Sequence, residues 1–162
     1  MSSFPLGGKA PDRFFYALGR VSFETEGVSA HLDLLLQVLA QIEDMSILAA
    51  LVGGEPISGK IKKCKRALGV SSVFGTGDVS ELRRILGNLS TLVEGRNRYI
   101  HAAWSRYDEK SKTAHGTRAR RTEPEDIIVS IEKLEGLANA FAEQDDMLLT
   151  IIERPYFDLN GW

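Results

Sequence analysis

One cysteine, Cys64, stands in 162 residues. It has no partner for an internal disulfide, which fits a reducing compartment, so the cytoplasm is the expected location. Long apolar runs are missing as well. The stretch Leu34-Leu-Leu-Gln-Val-Leu-Ala40 falls far short of the roughly 20 residues that a membrane helix needs. The first residues, Met1-Ser-Ser-Phe-Pro-Leu-Gly-Gly8, hold no basic region ahead of an apolar one, so no secretory signal and no membrane partner are expected. No Cys/His or His-x-x-x-His spacing suggests a metal site. Gly75-Thr-Gly77 is too short for a phosphate loop and lacks its lysine. No metal and no cofactor are therefore expected. Internal repeats and low-complexity tracts are also lacking.

The composition that remains is globular. With 43% hydrophobic and 26% charged residues, the chain has apolar surface enough for a core and too little charge for disorder. Its length predicts a single domain over 1–162. The net charge of −2 hides a polarity. Residues 96–121 carry eight Lys/Arg against two Asp/Glu, whereas residues 122–162 carry two against ten. Such blocks suit an anionic ligand at the basic segment or self-association between the two. Two solvated faces of opposite sign would look the same.

Apolar residues recur mostly at helical spacing. Over about 12–43, Phe14, Phe15, Leu18, Val21, Val28, Leu32, Leu35, Leu36, Leu39 and Ile42 mark one face of an amphipathic helix. Gly27 leaves open whether this is one helix or two. A short helix is predicted over 44–52, then a third from Gly59 to Leu68 with Ser58 as its N-cap and Gly69 as its stop. Asp78-Val-Ser-Glu81 has capping-box spacing and opens a helix running to about Ala103. Gly87 and Gly95 lie within it, which suggests a closely packed neighbour. Trp104–Tyr107 and Ala114–Arg120 flank a polar turn and predict a small β-hairpin. Thr122-Glu-Pro-Glu125 resembles a capping box with proline in the first turn, and predicts the start of a last helix that Pro155 ends. The expected fold class is all-α, a bundle of about five helices with a hairpin inserted before the last.

The stretch Glu94-Gly-Arg96-Asn97-Arg98-Tyr99-Ile100-His101 carries the residues most suited to chemistry. Histidine takes and gives protons near neutral pH, and the planar fork of arginine suits phosphate. On a helix Asn97 and His101 share a face, but Arg96 and His101, five apart, diverge by roughly 140°. Either the long Arg96 side chain bends round or a second copy completes the site, so a homodimer belongs to any catalytic reading.

Arg96-Asn97-x-x-x-His101 resembles the Arg-x(4–6)-His motif of HEPN domains, including the polar residue directly after the arginine. The motif itself spans about ten residues, and the helix order extends the likeness loosely over the chain. The hairpin between the motif and the last helix departs from the family pattern. HEPN proteins are all-α bundles, often dimeric, and many are metal-independent endoribonucleases of toxin–antitoxin, phage-defence and CRISPR systems. The resemblance implies that His101 acts on a ribose 2′-hydroxyl and the leaving oxygen, that Arg96 neutralises the phosphate, and that Asn97 orients His101 or bonds the phosphate. It implies RNA as substrate, an antitoxin protein as a possible partner, and a 2′,3′-cyclic phosphate product. Arg98, Arg106, Arg118, Arg120 and Arg121 would then attract the RNA backbone, with Trp104 and Tyr107 stacking on bases.

The alternative is a non-catalytic helical module for dimerisation or protein interaction. In that reading Arg96 pairs with a carboxylate, Arg98 with Glu94, Trp104 is core, and His101 bonds a carbonyl. His31 falls among apolar residues and reads as structural, while His115 reads as exposed. Lys60, Lys62, Lys63, Lys65 and Arg66 form either a solvated helix face or an extension of an RNA surface.

Overall fold

The computed structural model describes residues 10–120 and 123–159. It contains helices α1 (Asp12–Ala40), α2 (Met45–Val52), α3 (Ile57–Leu68) and α4 (Thr76–Ile100), strands β1 (Ala103–Asp108), β2 (Thr113–Arg118) and β3 (Glu125–Ser130), and a last helix, α5 (Ile131–Leu159). The chain is mostly helical, but a three-stranded antiparallel sheet of order β1-β2-β3 precedes α5, so the all-α class is corrected. Among the described residues no helix is long and apolar enough to cross a membrane.

Helix α1 runs unbroken through Gly27, which packs so near α5 that a Cβ there would lie 3.3 Å from the Asp145 carboxylate. It stops at Gln41, whose left-handed backbone lets its N–H return to the Gln37 and Val38 carbonyls. Its buried residues Phe14, Val21, Val28, Leu32 and Leu35 meet Leu82, Ile85 and Leu89 of α4 and Leu134, Phe141, Leu148 and Ile151 of α5 in one core. Polar ties fix how the helices lie. Arg13 donates two hydrogen bonds to Glu135, Arg20 bonds Asn139, and His31 lies 2.7 Å from Asp145, so α1 and α5 advance together. Along α4 the order reverses: Asp78 pairs with Arg154, Asn88 bonds Gln144, and Gly95 faces Leu137. Helices α4 and α5 are therefore antiparallel, and the sheet joins them at the end where α1 begins.

Several boundaries differ from the sequence reading. Helix α3 starts at Ile57 after Pro56, not at Gly59 after Ser58, because the fixed φ of proline suits the residue that enters a helix. Helix α4 begins two residues before Asp78, without a side-chain cap, and ends at Ile100 with His101 as its C-cap. The largest change concerns 125–130, expected to be helical. They form β3, with Ile127 and Val129 buried and Ile128 exposed, the two-residue period of a strand. The β-branched run pairs with β2 from Arg118↔Glu125 to Thr113↔Ser130, and Ser130 caps α5 by accepting from the Lys133 N–H at 3.2 Å. Thr122, which leads the expected capping box, lies outside the described residues. Helix α5 also continues past Pro155 to Leu159, since proline removes one backbone donor but keeps a helical φ.

Helix α3 is tied to α1 by a part-buried ion pair. Lys60 reaches Asp33 Oδ2 at 2.6 Å and Ser29 Oγ at 2.9 Å, while Asp33 Oδ1 is buried without a partner. Beside it Cys64 is fully buried against the Leu32 carbonyl, and desolvation pushes its thiol pKa up to about 12. The pair at Lys60 thus resolves the cluster of basic residues on α3: one cation is inside, Lys63 pairs with Glu55, and Lys65 bonds Ser90.

Lys60→Ala should leave the part-buried Asp33 charge without its partner and lower stability in urea unfolding by about 2 kcal/mol. Replacing the pair together, Lys60→Met with Asp33→Leu, should recover most of that loss. A single-variant loss under about 1 kcal/mol would show that the pair is not structural. Glycines give a second test. A Cβ on Gly87 meets open space, so Gly87→Ala should stabilise the protein by about 0.5–1 kcal/mol. At Gly116 the same atom would lie 2.8 Å from the Trp104 ring and 2.9 Å from a backbone oxygen, so Gly116→Ala should destabilise it. Equal midpoints for the two variants would contradict the packing of β1 on β2.

Candidate functional site

The end of α4 faces a cleft of about 420 Å³. Thr25, Glu26 and Ser29 of α1 form one wall, Glu55 to Ser58 at the start of α3 a second, and Arg118 of β2 a third; Arg96, Asn97 and His101 supply the fourth. Local chemistry explains each placement. Arg118 shares the inward face of β2 with Ala114 and Gly116, which are buried, so the strand period directs it toward the bundle and α4. His101 is exposed at the helix C-cap, with φ −96° and ψ 11°. Arg96 is half-buried; its Nη1 donates to Asn97 Oδ1 at 3.1 Å, and its Nε is buried without a hydrogen-bond partner.

That hydrogen bond bears on the divergence of Arg96 and His101 around the helix. Arg96 bends toward Asn97, so one chain brings all three side chains to one cleft without a second copy. Among the described residues neither Arg96 nor Arg118 forms an ion pair with a carboxylate. Of the two cleft carboxylates, Glu55 is paired with Lys63 at 2.7 Å, and its side chain lies over Gly59, where a Cβ would collide with it. Glu26 sits at the exposed rim. The missed contributors, Thr25, Ser29 and Ser58, sit far from the motif in sequence, and only the packing of α1 and α3 brings them near.

A second depression of about 480 Å³ adjoins the first, sharing Asn97 and Arg118. It adds Arg98, Arg120, Glu94 and Glu125. Arg98 pairs with Glu125 at 3.1 Å rather than with Glu94, and Arg120 with the other oxygen of Glu125 at 2.7 Å.

The remaining candidates lie elsewhere. Trp104 stands edge-on to Phe14 with ring centroids 5.3 Å apart, and its Nε1 is buried without a partner. Tyr107 is buried 6.4 Å from the same ring, and burial raises its pKa. Both face inward against the first turn of α1: Tyr107 belongs to the core, Trp104 packs partly buried against it, and neither lines the cleft. Arg106 is placed elsewhere too: it pairs with His115, whose other neighbour is Ile128, on the outer face and does not line the cleft. Arg121 lies outside the described residues. His31 is tied to Asp145, as its structural reading expects, and His115 is half-buried, 3.3 Å from Thr113 Oγ1. Among the described residues no group of three or more His, Cys, Asp or Glu is placed to hold a metal ion.

The cleft therefore offers one exposed imidazole, two guanidinium groups and an amide, beside hydroxyls from α1 and α3. Such a set can move a proton and hold an anion. The chain matches no family model, no curated protein and no solved structure, and its chemistry has to be read from these side chains.

Proposed function

We propose that the chain is a metal-independent endoribonuclease of HEPN type, acting at the cleft between the end of α4, α1, α3 and β2. One observation carries the reading. Arg96 and His101 line the same cleft, with Arg96 held by Asn97 and paired with no described carboxylate. A half-buried guanidinium without a counter-charge favours a bound anion, and an adjacent imidazole gives that anion a proton carrier.

In this mechanism His101 takes the proton from a ribose 2′-hydroxyl, whose oxygen attacks the neighbouring phosphorus. The bond from phosphorus to the 5′-oxygen breaks, that oxygen takes a proton from water, and the product is a 2′,3′-cyclic phosphate. Arg96 and Arg118 stabilise the charge that builds on the phosphate oxygens. Asn97 fixes Arg96 through its side-chain oxygen, a role for the amide different from orienting His101. RNA is the proposed substrate, and toxin or defence use would supply an antitoxin protein as partner.

A second reading, an interaction module, draws support from α1. Tyr16 and Phe23 are 68% and 76% exposed on the outer face of that helix, and large exposed aromatics favour contact with a protein. The homodimer proposed with either reading has a direct test. Light scattering on the eluting protein should give twice the chain mass of 17.9 kDa, and the monomer mass at all concentrations would exclude it.

The enzymatic reading predicts cleavage of unstructured RNA in EDTA, with cyclic phosphate ends. His101→Ala should lower the rate at least about 100-fold, as loss of a general acid–base does. Because His101 is exposed, its thermal midpoint should stay near that of the unaltered chain. Arg96→Ala should also abolish cleavage. Unchanged cleavage by the His101→Ala protein, or none by the unaltered protein on a mixed RNA pool, would reject the assignment.

A further inference from the structure

The second depression has a feature that the cleavage mechanism does not use. The two oxygens of one carboxylate, Glu125, are each held by a different arginine, Arg120 at 2.7 Å and Arg98 at 3.1 Å. Two guanidinium groups converging on an anion from two sides is the arrangement that would hold a phosphate. We propose that this depression is a second phosphate subsite for a single RNA strand, filled internally by Glu125 when no strand is bound. The inference rests on the first cleft being the RNA site of the proposed function, because it is Arg118 and Asn97, shared by both depressions, that make one continuous path.

The energetics favour exchange. Arg98 and Arg120 are about half exposed, so their pairs with Glu125 are worth little each. A free mononucleotide gains little by displacing a carboxylate already in place. A strand anchored by one phosphate in the first cleft presents the next phosphate at high effective concentration, and it also releases its counterions. Glu125 therefore discriminates: it holds the subsite closed to small anions and yields to a polyanion. The position of the residues fits this task. Arg98 stands in the last turn of α4, Arg120 just beyond β2, and Glu125 opens β3, so three elements meet there. Glu94, one turn before Arg98 on the same helix, also lines the depression.

The test uses a labelled, mixed-sequence 2′-O-methyl oligonucleotide, which cannot be cleaved by 2′-hydroxyl attack, and follows anisotropy across a salt series. Glu125→Gln keeps the side-chain shape and removes the charge; it should tighten binding roughly three- to fivefold at low salt. Arg98→Gln with Arg120→Gln should weaken binding and flatten the plot of log affinity against log salt, by about 0.7 for each phosphate that the variant no longer neutralises. Inorganic phosphate at the same ionic strength should compete poorly with the unaltered chain and better with Glu125→Gln. Circular dichroism and the thermal midpoint check that each variant keeps the overall fold. Equal or weaker binding by Glu125→Gln, an unchanged salt slope in the double arginine variant, or no oligonucleotide binding at all would overturn the subsite. The outcome separates from that of the cleavage reading, because this oligonucleotide cannot be cleaved and its binding is read without turnover. Tightening by Glu125→Gln without any RNA cleavage would leave the subsite standing and remove the chemistry.

Discussion

The packing of α1 along α5 is the constraint from which the rest of the molecule follows. Both helices are long and share one apolar seam, and the direction of their pairing is fixed by polar ties from their first turns to the middle of α5. Arg13 grips Glu135 near the start, and its guanidinium, by hydrogen bonding, holds that carboxyl below the ordinary glutamate range. His31 meets Asp145 further along. With α1 and α5 running together and α4 running against α5, the segment between α4 and α5 has only one end of the bundle to occupy. The sheet forms there, over Phe14, and it carries Arg118 down beside the end of α4. The cleft is a product of this arrangement more than of the motif that lines it.

The sheet itself depends on small features. Gly116 lets Trp104 lie across β2, and the register of β1 shifts between Trp104 and Arg106. The shift leaves Arg106 on the outer face while Trp104 and Tyr107 both stay inside. Asp108 closes the turn by accepting backbone N–H groups from Lys110 and Ser111, and these bonds hold its carboxyl below its usual pKa. On the other edge of β2, the register with β3 sets Arg118 level with Glu125. The basic side chains that the sequence shows as one cluster are thereby divided: Arg118 goes to the cleft, Arg106 to the outer surface, and Arg120 to a carboxylate.

Much of the helical frame was legible because a period of three to four residues is sustained over many turns in α1 and α4. The strand β3 was not. Ile127, Ile128, Ile131 and Leu134 fit a helical stripe as well as a strand followed by a helix, and Thr122-Glu-Pro-Glu125 supplies a persuasive false start. The discriminating signs were Ile127-Ile128-Val129, three β-branched residues in a row, and Ser130 three places before Lys133. Their weight depends on whether β2 offers a partner edge, which is a tertiary fact. The site shows the same division. Asn97 and His101 share a helix face by spacing alone, so their proximity was readable. The bend of Arg96 toward Asn97 was not, because a flexible side chain chooses its direction from what surrounds it. Trp104 and Tyr107 misled for a related reason: aromatic residues near a basic segment suit stacking on bases, and they suit a core equally well.

The charge polarity along the chain also changes meaning in three dimensions. An excess of acid after residue 121 and of base before it suggests two faces in search of partners. Inside the fold, three of the ten acidic residues and two of the eight basic ones are already paired. Glu135 is matched by Arg13, Asp145 by His31, and Glu125 by Arg98 and Arg120. What remains without a counter-ion among the described groups near the motif is Arg96 and Arg118, and both open onto the cleft that holds His101. Counting charges in sequence overstates the basic surface and understates the contrast at this point. A guanidinium neutralised at 2.7 Å attracts a phosphate weakly, whereas one fixed by a neutral amide keeps its full charge for a ligand. The case for anion chemistry in this protein thus rests less on how many arginines the segment contains than on which two the fold leaves unpaired.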